Sequence, residues 1–533
     1  MTIITAKTPH RRALKLAPLK LAPLKLAPLK LAPLALAAML LSAEAHADWK
    51  VTPRIDLRET YSDNLGLQNG DATESGFISE AAPSATFSMT GRRLNLTGEA
   101  GWRMYSYSNK DAPNLRNSER HYNAAAKAIV ADDWLFLDAG ATGSRQAISA
   151  FGPVSSSSYS SRNTTDVSTW QFSPYLRHRF GSTADLTMRY ARDSVDAGVA
   201  GFGTSLASTR SADLTSGTRF SSVGWNLNYY QQDLSDRVAG DSSSETATAG
   251  LRWNLIRRFS LTATGGYDKF EYPTINQRTN GRSWTGGFVW TPSTRTSVQA
   301  SFGRRYFGKT GSLASSYRTQ RSVWNLDYSD AITTSRSQFV LPAAIDTASM
   351  LDAMFTASFP DPVQRQQAVQ AYIASAGLPS SLANSINYLS NRYIRIKRLQ
   401  GAAIFRGARS NLSLSVFSDQ RNALSTQQSD SALLGGQIAT LNDNTRQRGA
   451  SANYDYRLTS RTSAYVGANL SRVTSLTTDV VNNISETRIG MNHRFAAKTN
   501  GSLELRRARG RQDLLGNSSY HETAVMATFS VLY

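Results

Sequence analysis

The chain has 533 residues and a formal net charge of +20 at pH 7. It contains no cysteine, which excludes a disulfide framework and a thiolate metal site. Beyond residue 47, no apolar run approaches the roughly 18 consecutive residues of a transmembrane helix. If this part of the chain enters a membrane, it must do so as a closed β-barrel, because only closure leaves no strand edge unpaired.

The N-terminal segment has the pattern of an export signal. Residues 1–30 contain lysines and arginines but no acid, and residues 31–41 are apolar apart from one proline. Ala45-His46-Ala47 then matches the small-x-small rule for cleavage. The pattern predicts a secretory signal peptide over residues 1–47 and a mature domain over residues 48–533. Because an exported protein does not meet the chromosome, we expect no nucleic acid among its partners.

Strand-like alternation dominates residues 48–533. Apolar residues recur at every second position in segments of about 10–15 residues, which suits tilted strands that span a bilayer. Such segments begin near Leu94, Leu135, Phe172, Val223, Trp284 and Leu412. Strands of soluble sheets are shorter, typically about five to six residues. The pattern therefore favours a membrane barrel over a soluble sandwich.

The predicted connections between strands alternate in length. Ten short polar turns, including Pro292-Ser293 and Ser329-Asp330, alternate with eleven longer loops rich in Ser, Asn, Gly and Asp. They predict an all-β fold, a transmembrane antiparallel up-and-down outer-membrane β-barrel of about 22 strands, with short periplasmic turns and longer outside loops. Four aromatic residues beside predicted turns are expected in the periplasmic girdle: Trp134, Trp253, Phe259 and Trp290.

One segment, residues 346–391, interrupts the strand pattern. Met350 and Met354 have helical spacing, Asp361-Pro362 is typical of a helix start, and Gly377 is typical of a helix end. These features predict a helical insert in one outside loop. Such an insert could fold into the barrel as a plug or gate, or lie outside it as a cap, and the sequence does not distinguish these arrangements.

The end of the sequence has the pattern of a closing barrel strand. Val525, Ala527, Phe529, Val531 and Tyr533 alternate with other residues up to the last position. An aromatic residue at this place is typical of the last strand of outer-membrane barrels. We therefore predict that Phe529, Val531 and Tyr533 form the signal that the barrel-assembly machinery recognises.

Basic residues on predicted strands are candidates for the lumen, because an arginine that faces lipid at the bilayer midplane costs roughly 2–4 kcal/mol. Guanidinium groups in the lumen would attract anions and repel cations, unless acids of the lumen pair with them. The candidate substrate-contacting residues are Arg177, Arg179, Arg189, Arg219, Arg304, Arg395, Lys397, Arg488 and Arg506.

No catalytic motif is found. The histidines beyond residue 47 are His121, His178, His493 and His521, and they fall on four separate predicted strands or strand ends. A nucleophile elbow and a phosphate loop are both missing from the sequence. We therefore expect neither an enzyme nor a bound metal or cofactor.

Several short motifs, in their order along the chain, resemble one known family. They are Trp49 to Arg54, Glu59 to Asn64, Ala82-Pro83-Ser84, Asp132 to Ala139, Ser173 to Leu176, Phe359 to Arg365 and Phe405 to Ser410. In these segments the sequence resembles the PEP-CTERM system-associated outer-membrane β-barrel family. The resemblance covers nearly all of residues 48–533. It implies a place in the outer membrane of a Gram-negative bacterium, within an exopolysaccharide biosynthesis or export system.

Three functions remain open from the sequence. The first is a porin-like pore for an anionic polysaccharide or a related solute. The second is a non-conducting structural or docking barrel of the same machinery, and the third is an outer-membrane enzyme that degrades the polysaccharide. The expected partners are outer-membrane lipid, the barrel-assembly machinery, the polysaccharide and other components of the export system.

Overall fold

The structure, a computed structural model, describes residues 48–70, 73–153, 159–199, 202–238, 240–272, 274, 279–340, 386–390, 392–425, 439–512 and 518–533. The predicted signal peptide, residues 1–47, lies outside the described residues. So does most of the predicted helical insert, since of residues 346–391 only 386–390 are described. No described helix is long and apolar enough to cross a bilayer.

The described chain folds into one antiparallel sheet of 22 strands in which every strand pairs with its neighbours in sequence. The strands are β1 (Asp48–Ser62), β2 (Gly76–Thr90), β3 (Leu94–Tyr107), β4 (Ser118–Ala131), β5 (Leu135–Ala147), β6 (Thr164–Phe180), β7 (Ala184–Ala197), β8 (Thr204–Ser216), β9 (Val223–Asp236), β10 (Ser242–Ile256), β11 (Phe259–Glu271), β12 (Asn280–Ser293), β13 (Thr296–Arg305), β14 (Gly308–Arg318), β15 (Ser322–Thr334), β16 (Tyr393–Arg406), β17 (Ser410–Ala423), β18 (Asn444–Arg457), β19 (Thr462–Ser475), β20 (Val481–Ala496), β21 (Thr499–Gln512) and β22 (Ser518–Leu532). A short helix, α1 (Ser335–Val340), follows β15, and a 3-10 helix spans Ala439–Asn442.

The sheet closes on itself. Strand β22 runs antiparallel to β1, from the pair Arg54 and Leu532 to the pair Ser62 and Ala524. The backbone N–H of Tyr533 donates to the carbonyl oxygen of Pro53 at 2.9 Å, which continues the pairing beyond β22. The predicted 22-stranded antiparallel barrel, with the C-terminal segment as its closing strand, is therefore confirmed.

The connections alternate between the two ends of the barrel. The end that carries the even-to-odd connections has short turns, which we call the turn side, and the other end is the loop side. One predicted turn is wrong, because Ser329-Asp330 lies inside β15, and β14 and β15 instead connect through residues 319–321. Asp330 resembled a turn residue, but its carboxylate is buried in an ion pair with Arg395 of β16. Pro292-Ser293 belongs to the end of β12, one residue before the true turn.

The wall separates apolar and polar residues by strand alternation. On β1, Val51 and Leu57 are more than half exposed on the outer face, whereas Arg54 and Arg58 of the same strand point inward to partners on β22. The same alternation continues around the barrel and gives an apolar outer surface that suits lipid. Near the turn side, Trp134, Trp253 and Trp290 are about half exposed, while Phe259 packs against Phe288 at a ring-centroid distance of 5.9 Å.

Inside the barrel, one glycine lets an aromatic side chain cross a strand. Tyr465 of β19, Gly490 of β20 and Glu504 of β21 are paired in one row. The Tyr465 hydroxyl donates to the Glu504 carboxylate by passing over Gly490, where an added Cβ would lie 2.4 Å from the ring. Packing of an aromatic ring over a strand glycine fixes the register of neighbouring strands.

Candidate functional site

The inner wall of the barrel carries arginines that pair with acids of neighbouring strands. Arg189 of β7 lies 2.9 Å from the Asp138 carboxylate of β5, and its guanidinium stacks 4.1 Å from the centre of the Tyr175 ring. Arg398 of β16 similarly pairs with Asp419 of β17 at 3.0 Å. The inner wall is thus polar, but much of its positive charge is neutralised locally.

Some inner acids are shared between two arginines. Glu80 of β2 lies 3.2 Å from Arg58 of β1 and 3.7 Å from Arg103 of β3. Arg103 also lies 3.4 Å from Glu119 of β4. Both arginines keep about a third of their side chains exposed, whereas the two acids are nearly buried. The groups that line the open part of this wall are therefore the guanidinium faces.

The loop after β5 is fixed to the opposite part of the wall by a buried cluster. Arg506 of β21 pairs with Glu522 of β22 at 2.9 Å, and both side chains are almost completely buried. Tyr159 of the loop donates its hydroxyl to Glu522 and accepts from Arg506 at 3.0 Å. Burial, together with the negative charge of Glu522, raises the pKa of Tyr159. A neutral tyrosine hydroxyl thus anchors this loop to the inner wall.

Helix α1 crosses the loop-side mouth of the barrel. It follows β15, yet Arg336 forms a buried ion pair with Asp193 of β7 and donates to the Ser205 hydroxyl of β8 at 2.8 Å. Phe339 of the helix packs against Phe202, which follows β7. The helix therefore reaches from one side of the mouth to strands on the other side.

Residues 386–390 cross the mouth as a second segment. The backbone of Ile386 is held by the Gln447 amide of β18, with distances of 2.9 and 3.0 Å. The Leu389 N–H donates to the carbonyl oxygen of Ala147 at the end of β5, at 3.3 Å. Between these ends, Tyr388 is buried and packs with Phe151 and other apolar residues from both sides of the mouth. The segment bridges β18 and β5 across the barrel.

Arg421 links the two crossing segments to the wall. It lies on β17, and its side chain is completely buried. Its guanidinium donates to Gln338 of α1 at 3.0 Å and to Asn387 at 3.2 Å, and lies 4.5 Å from the centre of the Tyr388 ring. Arg421 was not among the candidates predicted from the sequence, although it alternates in phase with the inward Ser415 of the same strand.

Four of the candidates predicted from the sequence lie in the lumen or at its turn-side rim, and each forms an ion pair with an acid there. Arg189 and Arg506 are described above, Arg488 pairs with Glu486 at 3.6 Å, and Arg179 pairs with Asp185 at 2.8 Å near the turn side. Arg177 shares the inward phase of Arg179 on β6. Whether these residues contact a substrate stays a prediction.

The other candidates do not lie in the lumen. Arg219 belongs to the connection between β8 and β9, not to a strand. Arg304 is in phase with the exposed Phe302 on the outer face of β13. Arg395 and Lys397 are likewise in phase with the exposed Leu399 of β16. Arg304, Arg395 and Lys397 are near the loop-side ends of their strands, where the cost of an outward arginine falls to about 0–1 kcal/mol.

Among solved structures, several barrels are similar to this chain at low sequence identity. The FrpB iron transporter from Neisseria meningitidis (F5-1 variant) is 12% identical over 93% of this chain and 84% of that chain, with a TM-score of 0.47. The siderophore receptor PirA from Pseudomonas aeruginosa is 10% identical over 91% and 80%, with a TM-score of 0.37. OpdK from the same organism, solved with vanillate, is 10% identical over 91% and 99%, with a TM-score of 0.32. No family model and no curated protein matches the chain.

Proposed function

We propose that the protein is a gated outer-membrane transport barrel that serves an exopolysaccharide export system. The observation that carries the proposal is the pair of segments, α1 and residues 386–390, that cross the loop-side mouth and are held there by polar side chains of the inner wall. A closed barrel of 22 strands is wider than its own side chains can fill, so such segments control passage. Long loops face the outside in bacterial barrels, which puts this constriction at the external mouth.

The polar character of the anchors favours a gate over a permanent stopper. Arg421, Arg336 and Gln447 hold the crossing segments through hydrogen bonds and an ion pair, and polar contacts can be exchanged with water or with polar groups of a substrate. A hydrated polysaccharide supplies many hydroxyl groups for such exchange. Acidic sugars would additionally meet the exposed guanidinium faces of Arg58 and Arg103.

The substrate class rests on the resemblance to the PEP-CTERM system-associated barrels, and an anionic polymer is the proposed cargo. The lumen ion pairs reduce the anion preference that the arginines alone would give. We therefore expect a weak preference for anions rather than a strict selectivity.

The channel is tested by single-channel recording of the refolded protein in a planar bilayer. We expect a small conductance for the wild type, and a several-fold larger one for the double variant Arg336→Ala, Arg421→Ala, because it loses the anchors of both crossing segments. Arg210→Ala, on the outer face of β8, serves as the control and should leave conductance unchanged. Equal conductance of wild type and double variant, both folded by heat-modifiable mobility, would refute the gate.

The polysaccharide role is tested separately in the native host. A strain that lacks the protein should secrete much less extracellular polymer, and the wild-type sequence should restore secretion. Normal secretion by the deletion strain would refute the export role even if the protein conducts ions.

A second function, a non-conducting docking barrel of the same machinery, is favoured by the extent of packing at the mouth. Buried clusters join the loop after β5, residues 386–390 and the loop after β17 through Phe151, Tyr388 and Leu441. If the protein is a docking barrel, neither the wild type nor the double variant should conduct ions. The wild type should then bind a partner protein of the same machinery stably.

A further inference from the structure

The outer face of β18–β22 carries a group of basic residues on its loop-side half. This group, which we call the arginine patch, consists of Arg446, Arg448, Arg472, Arg507, Arg509, Arg511 and His521. Strand alternation puts it on the outside: Arg507 and Arg509 are in phase with Leu503 and Leu505, which are about half exposed on the lipid-facing wall. The patch therefore lies directly above the apolar surface that faces lipid.

Register brings the members of the patch side by side. Arg448 of β18 is paired with Arg472 of β19, and Arg509 of β21 is paired with His521 of β22. Residues paired across antiparallel strands have their Cβ atoms about 4.5–5.5 Å apart, and two like charges at that distance, such as those of Arg448 and Arg472, destabilise a sheet. The arrangement costs free energy in the isolated protein, which calls for an anion that offsets it.

The described part of the protein itself offers no acidic side chain on this face to neutralise the arginine patch. On the outer face of β18–β22, the residues that the structure describes include no aspartate or glutamate. The acids of these strands, such as Glu486 and Glu522, point inward, where they pair with Arg488 and Arg506. Across the described chain, no carboxylate lies within ion-pair distance of Arg448, Arg472, Arg507 or Arg509.

The wall on the other side of the barrel is different. Strands β8–β11 also carry charged residues on the outer face near the loop side, but these are balanced. Arg210 pairs with Asp233 at 3.4 Å, and Lys269 pairs with Glu271 at 2.6 Å. The unbalanced charge of β18–β22 is thus not shared by the strands on the opposite side of the barrel.

The patch also encloses a groove. It has a volume of about 810 Å³ and is lined by all the arginines of the patch except Arg446, together with small residues such as Gly449, Ala450 and Ser485. Leu470, at the lower end of the groove, is 57% exposed and joins the patch to the apolar wall. The groove can therefore hold a bulky headgroup while the attached acyl chains follow the apolar wall.

We propose that the arginine patch binds the phosphorylated headgroup of an outer-leaflet glycolipid. Guanidinium groups bind phosphate oxygens through pairs of charge-assisted hydrogen bonds, and several arginines at one level match a headgroup with more than one phosphate. The position of the patch favours a lipid over a soluble anion, because the groove opens onto the lipid-facing wall and not onto the lumen. The proposal is independent of what the barrel transports.

The first test compares lipids with the wild-type protein in neutral detergent. Diphosphorylated lipid A and its fully dephosphorylated form are titrated, and bound lipid is counted by native mass spectrometry. We expect the diphosphorylated form to bind at least about 10-fold more tightly. Inorganic phosphate at high concentration should not displace it, since the acyl chains also bind. Equal affinity for the two lipids would overturn the proposal, and ready displacement by free phosphate would assign the patch to a soluble anion instead.

The second test assigns the binding to the patch. The variant Arg448→Gln, Arg472→Gln, Arg507→Gln, Arg509→Gln should lose about 10-fold or more in affinity for diphosphorylated lipid A. The matched control is Arg210→Gln, Lys269→Gln, Arg304→Gln, Lys397→Gln, which removes four outward cations elsewhere on the wall and should bind within about twofold of wild type. An equal loss in both variants would overturn the site. If the patch variant does not fold, the comparison of lipids on the wild type still decides.

Discussion

At the scale of single residues, burial decides how much an ion pair matters. The side chains of Arg506 and Glu522 are 3% and 0% exposed, so neither can turn to water if its partner is removed. The exposed pair of Arg179 and Asp185 near the turn side has that freedom. The two pairs have similar distances, 2.9 and 2.8 Å, but opposite environments.

We therefore predict that Glu522→Gln lowers the free energy of unfolding by about 3–5 kcal/mol, because it leaves a buried arginine without its counter-charge. The measurement is urea unfolding of the refolded barrel. Asp185→Asn is the control and should change stability little, since its partner remains hydrated. A similar loss in both variants would contradict the assignment of the effect to burial.

Tyr159 gives a prediction on pH. Its pKa is raised in the folded protein by burial and by the negative charge of Glu522. A group of this kind favours folding fully below its unfolded pKa of about 10, and the contribution is lost as the pH rises through the folded value. We expect the loop after β5 to become sensitive to proteolysis above about pH 10, whereas Tyr159→Phe should remove most of this pH dependence.

The identity of the lumen arginines could be predicted from sequence only in part. Arg488 and Arg189 alternate against exposed apolar neighbours, Ile489 and Met188, and they do point inward. Arg304 follows Phe302 by two positions and therefore shares its outward face. All of them were predicted to face the lumen because they are arginines. Whether an arginine faces the lumen or the lipid depends instead on its position in the strand alternation relative to the apolar residues.

At the scale of elements, packing between neighbouring strands explains why some glycines are needed. Tyr465 reaches Glu504 only because Gly490 leaves room for its ring. Gly286 of β12, by contrast, has nothing within 4 Å of an added Cβ and lies on the exposed outer face.

Gly490→Val should therefore lower the free energy of unfolding by about 1–3 kcal/mol, because the new side chain must displace the Tyr465 ring. Gly286→Val should have little effect, since a valine there faces lipid. Urea unfolding checks both variants, and a large loss at Gly286 with none at Gly490 would contradict the packing argument.

The closing strand leads to a prediction about assembly. Phe529 lies on the outer face of β22, and Tyr533 continues its pairing with β1. If these residues form the assembly signal, Tyr533→Ala should lower the amount of folded protein in the outer membrane several-fold without affecting refolding from urea in vitro. Leu532→Ala is the control on the inward phase of the same strand. Unchanged membrane levels of Tyr533→Ala would show that the signal lies elsewhere.

Strand number and turn positions could largely be predicted, because each strand depends on a local two-residue period. The false turn at Ser329-Asp330 arose where an ion pair across strands placed a charged residue on the outer face of β15. Arg395, the partner of Asp330, lies 65 residues further along the chain, so the residues around Asp330 give no sign of this ion pair.

At the scale of the whole molecule, the closed mouth was the least predictable feature. The contacts of Arg336 with Asp193 and of Leu389 with Ala147 join segments that are far apart in sequence. Neither segment carries a motif for its partner, and most of the predicted insert lies outside the described residues. The sequence could indicate that a loop interrupts the barrel pattern, but not which part of it enters the mouth.

The uneven charge of the outer wall also gives the barrel a front and a back in the plane of the membrane. The arginine patch lies on β18–β22, whereas the balanced pairs Arg210 with Asp233 and Lys269 with Glu271 lie on the strands diametrically opposite. Without a bound anion, the outer wall is therefore more positive on one side of the barrel than on the side opposite. In that state, two copies whose patches face each other repel, and a bound phosphorylated lipid removes this repulsion, so the lipid content of the membrane controls which sides of neighbouring copies can meet.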